Sequence, residues 1–431
     1  MRTIGQTFGL IVLSASLLFG QSDNISQEQV RQLQEQIRQL QARIEMLESN
    51  AGSKAASFEE SPPVTPQDNA QVPAQVATPA GPTDDAYSGE TGDFSPFSEG
   101  PAGPRMRLLG FGNVDFRFRN SGSASSFELG QLDLFLTSTF SNHMSALVES
   151  VFEYEEDTQE GILDVERVLL QYKPSPYLHV DLGRYHSGIG YYNTEYHHGV
   201  IFQTALDRPA FFSFEDDGGI LPIHNIGVSA NGEIPSGSLG LHYLAEMGNG
   251  RSYGSPSVSP VQPIRDENGT KSVNVGFWMQ PSRLTGLRLG ASVYRDRWSY
   301  QNDSVRQFVF AGYAVYRLGR IEFLNESLWM HHSRASEQGR NRSTSVPGGY
   351  ALFSYRLGSL RPYFRYEFLN PNESDPVALT VLGQGGWQRR MSMGIRYDLN
   401  EGTTVKFQMD RLAQKNLALS HQARMQFAFA F

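Results

Sequence analysis

Residues 360–368 read Leu360-Arg361-Pro362-Tyr363-Phe364-Arg365-Tyr366-Glu367-Phe368. Leu360, Pro362, Phe364, Tyr366 and Phe368 fall on one side of an extended chain. Arg361, Tyr363, Arg365 and Glu367 fall on the other, because successive Cβ atoms of a strand point to opposite faces. The same period of two runs through 390–399, where Met391, Met393, Ile395, Tyr397 and Leu399 oppose Arg390, Ser392, Gly394, Arg396 and Asp398. It recurs at 111–119, with Val114, Phe116 and Phe118 against Asp115, Arg117 and Arg119. It also closes the chain, with Ala423, Met425, Phe427, Phe429 and Phe431 against Arg424, Gln426 and Ala428.

A soluble sandwich alternates too, so the sense of each face decides between fold classes. In a sandwich the charged face meets water and the apolar face a second sheet. In a membrane barrel the apolar face meets lipid and the charged face encloses a wet lumen. Alternating segments of about 10–14 residues exceed the usual strand of five or six. Tyr and Phe at segment ends suit interfacial aromatic girdles. The expectation is an all-β membrane protein, an antiparallel transmembrane barrel of about 16 strands over residues 105–431.

Strands are expected near 107–119, 126–140, 143–155, 163–173, 177–187, 224–234, 238–248, 272–280, 286–298, 305–317, 320–332, 348–357, 359–369, 387–399, 402–411 and 421–431. Those at 305–317 and 320–332 alternate poorly. Every second connection is tight, for example Ser141–His143, Leu318–Gly319 and Asn400–Gly402, and the others are mostly longer. Short turns on one rim and long loops on the other are expected of such barrels. An even count puts both termini on one side, expected to be the periplasm.

Upstream of the barrel the texture differs. Arg2 precedes an apolar run from Phe8 to Phe19, with Gly20 and Ser22 after it. This predicts a signal peptide over 1–22. The chain has no Cys, which excludes disulfides, thiolate metal sites, a Cys nucleophile and a lipid-modified Cys anchor. Residues 26–49 carry heptads. Val30, Ile37 and Ile44 occupy one core position, and Leu33, Leu40 and Leu47 the other, predicting a periplasmic α-helical coiled coil. β-branched residues at a with Leu at d lean toward two strands, a lean that attachment to a larger oligomer overrides. Residues 51–104 carry 9 of the 22 prolines. The segment 50–104 is therefore expected to be a disordered linker, averaging roughly 40 Å end to end.

Charge is uneven. Residues 1–104 hold 5 Lys/Arg against 13 Asp/Glu, and the remainder 31 against 32. The acidity belongs to the arm, and nothing points to nucleic acid.

The third long connection, about 188–223, is the longest and is expected to carry function, as long unstructured loops usually do. Either it folds into the barrel as a constriction, or it caps the outside or latches a trimer. Arg184 and Arg208 are expected to pair with Glu215, Asp216 and Asp217, either as a transverse field across a pore or as ordinary salt bridges holding the loop. His186, His197, His198 and His224, with Glu195 nearby, lack helical metal-ligand spacing, so no metal and no cofactor is expected.

The stretch Gly183-Arg184-Tyr185 through Gly190-Tyr191-Tyr192-Asn193, His197-His198-Gly199 and Glu215-Asp216-Asp217-Gly218-Gly219-Ile220-Leu221-Pro222 resembles a run in bacterial outer-membrane porins. The whole of 105–431 resembles that family, and most of all its phosphate-selective O and P type. The resemblance implies an N-terminal heptad segment before a 16-stranded trimeric barrel in the outer membrane. It also implies an inward third loop and passage of small ionic or polar solutes. A C-terminal aromatic such as Phe431 resembles the signal read by the barrel assembly machinery. Arg117, Arg119, Arg184, Arg208, Glu215, Asp216, Asp217, Arg361, Arg365, Glu367, Arg390 and Arg396 are the candidate pore-lining and constriction residues. The phosphate porins use an arginine ladder with a lysine cluster. Here only Lys173, Lys271, Lys406 and Lys415 fall in the barrel, and Asp115, Asp133, Glu149, Glu153, Asp181, Asp296, Asp398 and Asp410 share the inward faces. Strong anion selectivity is therefore not expected.

Two other functions compete. A structural or adhesive barrel would use the coiled coil as its link to the periplasm. A barrel-rim hydrolase would need a Ser–His–acid constellation, and no Gly-x-Ser-x-Gly spacing supports one. No enzyme activity is expected.

Overall fold

The computed structural model describes residues 105–118, 125–154, 161–196, 199–215, 219–251, 265–266, 269–300, 303–335, 341–382 and 385–431. The expected signal peptide, coiled coil and linker lie outside the described residues. So do Arg119, His197, His198, Asp216 and Asp217.

Sixteen strands form one closed antiparallel barrel. They are β1 (Arg105–Phe118), β2 (Ser126–Ser141), β3 (Met144–Tyr154), β4 (Gly161–Ser175), β5 (Leu178–His186), β6 (His224–Ile234), β7 (Leu241–Gly248), β8 (Ser272–Met279), β9 (Leu287–Tyr300), β10 (Asp303–Leu318), β11 (Ile321–Ala335), β12 (Asn341–Tyr355), β13 (Leu360–Leu369), β14 (Gln388–Asn400), β15 (Thr403–Gln414) and β16 (Ser420–Ala430). Each pairs with the next, and β16 returns to β1 with Val114 opposite Phe427. The terminal Phe431 completes the seam, exchanging two 2.9 Å backbone hydrogen bonds with Gly110. Closure leaves no unpaired edge, which a sheet in hydrocarbon requires.

The sense of the faces matches the membrane alternative. On β13, Arg365 is 0% exposed while its neighbour Phe364 is 38% exposed. A closed sheet can hide only its concave face, so the charged set points into the barrel and the apolar set outward. On β14, Met393 and Ile395 likewise lie on the exposed face. Apolar residues at Leu132, Phe152, Leu182, Val275 and Phe310 continue that exposed belt around the barrel.

The weak alternation on β10 and β11 has a physical cause. The inward residues Val305, Val309, Ala311 and Val315 of β10 are themselves apolar and buried. So are Leu324, Leu328 and Met330 of β11, and Val346, Tyr350 and Leu352 of β12. Both faces of this wall are therefore apolar, and period two fades. Its inner side packs against Tyr191, Tyr192, Phe211, Phe212 and Phe214, which come from the long connection between β5 and β6. The barrel thus contains a hydrophobic core within its lumen. Burying each aromatic of that core contributes about 1.5–3 kcal/mol.

Candidate functional site: the loop inside the barrel

The connection 187–223 enters the lumen and is fixed on several walls at once. It carries a single helical turn, α1 (Tyr192–Glu195), and a 3-10 turn at Ala210–Phe212. Its entry depends on Gly190, whose φ is +79° and whose missing Cβ would stand 2.5 Å from Glu326 Oε2. Glu326 on β11 accepts from the backbone N–H groups of Tyr191 (2.6 Å) and Tyr192 (2.8 Å) and from the Tyr350 hydroxyl (2.7 Å). Its carboxylate thus satisfies amides that begin a helical turn and would otherwise be orphaned in a buried site. Glu246 on β7 accepts from Gly188 N–H at 3.0 Å. Thr204 donates to Glu322 at 2.5 Å, and Glu195 pairs with Arg288 at 2.7 Å. Arg317 donates to the Tyr191 hydroxyl at 2.6 Å and lies over the Tyr196 ring.

The opposite flank of the loop meets β13 to β16 through charge. Asp207 pairs with Arg365 (2.6 Å), Arg390 (2.9 Å) and Arg424. Arg365 Nη1 also donates to the Asp207 carbonyl at 2.5 Å. Burial works to raise the Asp207 pKa, but the three guanidinium groups outweigh it and hold the carboxyl well below its usual range. Glu367 joins the same cluster, pairing with Arg365 (2.7 Å) and Arg390 (3.1 Å) and accepting from Ala210 N–H (2.6 Å). Asp410 pairs with Arg424 at 3.2 Å. Three arginines therefore meet three carboxylates. Above them Arg396 donates to the carbonyls of Ile201 (2.6 Å) and Gln203 (3.0 Å), and Lys406 to that of Ala205 (3.1 Å).

These contacts distribute the sequence-predicted residues as follows. Arg365, Glu367 and Arg390 share the Asp207 cluster. Arg361 approaches Glu322 (3.8 Å) and donates to Thr204 (3.2 Å), and Arg396 pairs with Asp398 (2.6 Å) while holding the loop. Arg117 sits apart on β1 with Glu128 at 3.0 Å. The expected pairing of Arg184 and Arg208 with Glu215 gives way to other partners. Arg184 meets Glu166, at 3.8 Å to its carboxylate and 2.9 Å to its carbonyl. Arg208 turns into the loop, donating to Tyr196 O and Asn193 Oδ1 at 3.2 Å each and lying 4.2 Å over the Phe214 ring. Glu215 instead accepts from His224, at 2.9 Å from the backbone and 3.0 Å from Nδ1. Burial pushes the Glu215 pKa up, and His224 more than reverses that. Glu195, weighed as a metal ligand, is taken by Arg288.

Asp207 is the central residue that sequence reasoning missed. It lies one position before Arg208-Pro209, and a lone acid in a loop carries no periodic signal. The far wall offered the clue, since Arg365, Arg390 and Arg424 converge with only Glu367 and Asp410 to balance them.

A closed 16-stranded antiparallel barrel with an apolar exterior and a charged interior has the architecture of a transmembrane β-barrel. The fold is similar to the outer-membrane channel DcaP of Acinetobacter baumannii, with a TM-score of 0.55 at 11% identity over 78% of this chain and 99% of that one. It is similar as well to an anion-selective porin from Comamonas acidovorans, with a TM-score of 0.52 at 14% identity over 76% and 100%. No family model matches the chain, and no curated protein matches it.

Proposed function

We propose that this chain is an outer-membrane porin through which small hydrophilic solutes or ions diffuse passively, narrowed by the loop 187–223. The observation that carries the reading is the uneven placement of the loop. Among the described residues its polar contacts run to β6, β7, β9–β11 and β13–β16, whereas Gln131, Ser145 and Gln171 on β2–β4 bond to neighbouring strands. Gln131 donates to Glu153 at 3.1 Å, Ser145 to Gln171 at 3.3 Å, and Gln171 to Asp181 on β5 at 3.0 Å. Gln131, Glu153, Arg167 and Gln171 remain partly exposed. The conducting path then runs between the loop and the β1–β5 wall, with Phe202, 54% exposed, at its edge against Phe111 (5.1 Å between ring centroids).

A lumen so lined has mixed charge. Most arginines of the far wall are already spent on loop carbonyls and carboxylates, which supports weak selectivity rather than the phosphate specificity of the O and P type. The long-loop rim faces outward, the N-terminus lies in the periplasm, and the channel is a homotrimer. No catalysis is ascribed to it.

Liposome swelling tests the reading. Proteoliposomes should swell in sugars at rates that fall with solute size. Swelling no faster than in empty liposomes, at several protein loads, would overturn it.

A further inference from the structure

From Ile201 to Leu206 the loop inside the barrel is buried, at most 3% exposed at each residue, with one exception: Phe202 is 54% exposed. The backbone around that ring is clamped from the opposite wall. Arg396 donates to the carbonyls of Ile201 (2.6 Å) and Gln203 (3.0 Å), and Lys406 to that of Val200. A turn closed by Phe202 N–H on the Gly199 carbonyl (2.9 Å) adds to the hold. The chain thus keeps a large apolar side chain open to the lumen on a fixed mount.

Phe202 does not stand singly. Its ring centroid lies 5.1 Å from that of Phe111 on β1, and Phe111 lies 5.2 Å from Phe135 on β2, both pairs edge to face. Phe111 and Phe135 are partly exposed and belong to inward faces. Phe111 is directly opposite Asp133, and Phe135 is directly opposite Glu149, in the strand registers. The three rings form an apolar strip among polar neighbours. The face of such a ring attracts cations, and the fold already places one there: the Arg167 guanidinium lies 5.4 Å over the Phe135 ring. Acids outnumber bases beside the strip. Asp133 and Glu149 adjoin the rings in register, and Glu153 follows two inward positions beyond Glu149. Arg167 is paired with Glu149. The cations that clamp the loop are turned to its carbonyls, and Arg396 is also paired with Asp398 at 2.6 Å.

We infer that Phe202, Phe111 and Phe135 form a subsite for aromatic organic cations, with the solute ring continuing the edge-to-face strip and its ammonium group turned toward Glu153 and Asp133. The inference rests on the path proposed along the β1–β5 wall and names a class of solute for it. The occupant is a solute because the strip lies inside a closed wall, where neither lipid nor a second copy of the chain packs. It is aromatic because aromatic pairs gain from edge-to-face contact beyond the area they bury. It is cationic because ring faces and neighbouring carboxylates both favour positive charge.

Ligand-detected NMR on the detergent-purified full chain tests it, with benzylammonium, cyclohexylmethylammonium and benzoate as probes of similar size. Benzylammonium should bind most tightly, cyclohexylmethylammonium more weakly for want of a ring face, and benzoate most weakly. Phe202→Ala should weaken benzylammonium binding about fivefold, the scale of an exposed aromatic or cation–π contact. Phe202→Tyr should retain it. Because Phe202 is more than half exposed, its truncation leaves the buried contacts of the loop in place. Glu153→Gln should weaken both ammonium probes and favour benzoate. Equal or absent binding of all probes, or benzylammonium binding unchanged in Phe202→Ala, would overturn the inference. Tighter binding of benzoate would overturn it as well and give the strip to aromatic anions. Binding in detergent does not require a conducting barrel, so the two readings fail separately. A wild type that binds benzylammonium yet leaves liposomes unswollen keeps the subsite and loses the porin. One that swells liposomes without binding any probe loses the subsite alone.

Discussion

Arg365 grips Asp207 twice, at the side-chain carboxylate (2.6 Å) and at the backbone carbonyl (2.5 Å). The first residue belongs to the barrel wall and the second to the loop inside it. One guanidinium therefore fixes both the position and the direction of the loop where it crosses the lumen. Arg390 and Arg424 complete the grip on the same carboxylate.

Removing that carboxylate should loosen the loop without opening the barrel. In Asp207→Asn, Arg365 keeps Glu367 and the backbone carbonyl of residue 207 but loses the carboxylate charge of its loop partner in a water-poor site. Breaking a buried pair costs about 3–5 kcal/mol, and the 22% exposure of the Asp207 side chain places this one toward the lower end. Hydrogen exchange of residues 200–212 should accelerate correspondingly, while the strand amides stay protected. Unchanged loop protection would show that Asp207 does not hold it.

The acid dependence follows from the lowered Asp207 pKa. A carboxyl depressed in the folded state stabilises fully above its unfolded value, about 3.9 for Asp, and loses that contribution as pH falls through its folded value. The part of loop protection that Asp207 contributes, read as the difference between wild type and Asp207→Asn, should therefore be constant from about pH 7 to pH 5 and be lost only in stronger acid, below about pH 4. A midpoint near pH 6 in the Asp207-dependent exchange would contradict the assignment.

Phe212 is fully buried between Tyr192 and Tyr350. Phe212→Ala should cost the loop's packing about 3–5 kcal/mol, the range for a buried aromatic cut to alanine. Limited proteolysis within 187–223 should become rapid in this variant and remain slow in wild type. Gly190→Ala should act in the same direction by a different route, through a positive φ and a Cβ set against Glu326.

Selectivity separates the two walls. Glu153 bonds Gln131 on the wall along which the conducting path is proposed to run. Glu153→Gln should shift the reversal potential in a salt gradient toward anions with no change in loop exchange. Arg361→Gln, on the covered wall, should act mainly by releasing Thr204. A selectivity shift from Arg361 alone, with none from Glu153, would place the path on the other side.

The barrel was legible because period two survives wherever one face meets lipid and the other meets water or charge. Strands such as 360–368 and 390–399 are of that kind. It faded on β10 and β11, where Val309 and Leu328 face a loop core rather than a wet lumen. That β5 and β6 are joined by a long connection was legible too. Its partners were not, because Asp207 reaches Arg365, Arg390 and Arg424 across 158 to 217 positions of sequence. Local pattern pointed instead to Glu215, which His224 already holds. The heptads of Val30 through Leu47 lie outside the described residues and stand as a sequence expectation.

Single-channel recording in planar bilayers, comparing wild type with Asp207→Asn, tests the central claim most directly. A loop clamped across a water-filled barrel predicts discrete steps for the wild type, and larger or noisier steps once the clamp is cut. A wild type that leaves the bilayer sealed, or two proteins with identical steps, would contradict it.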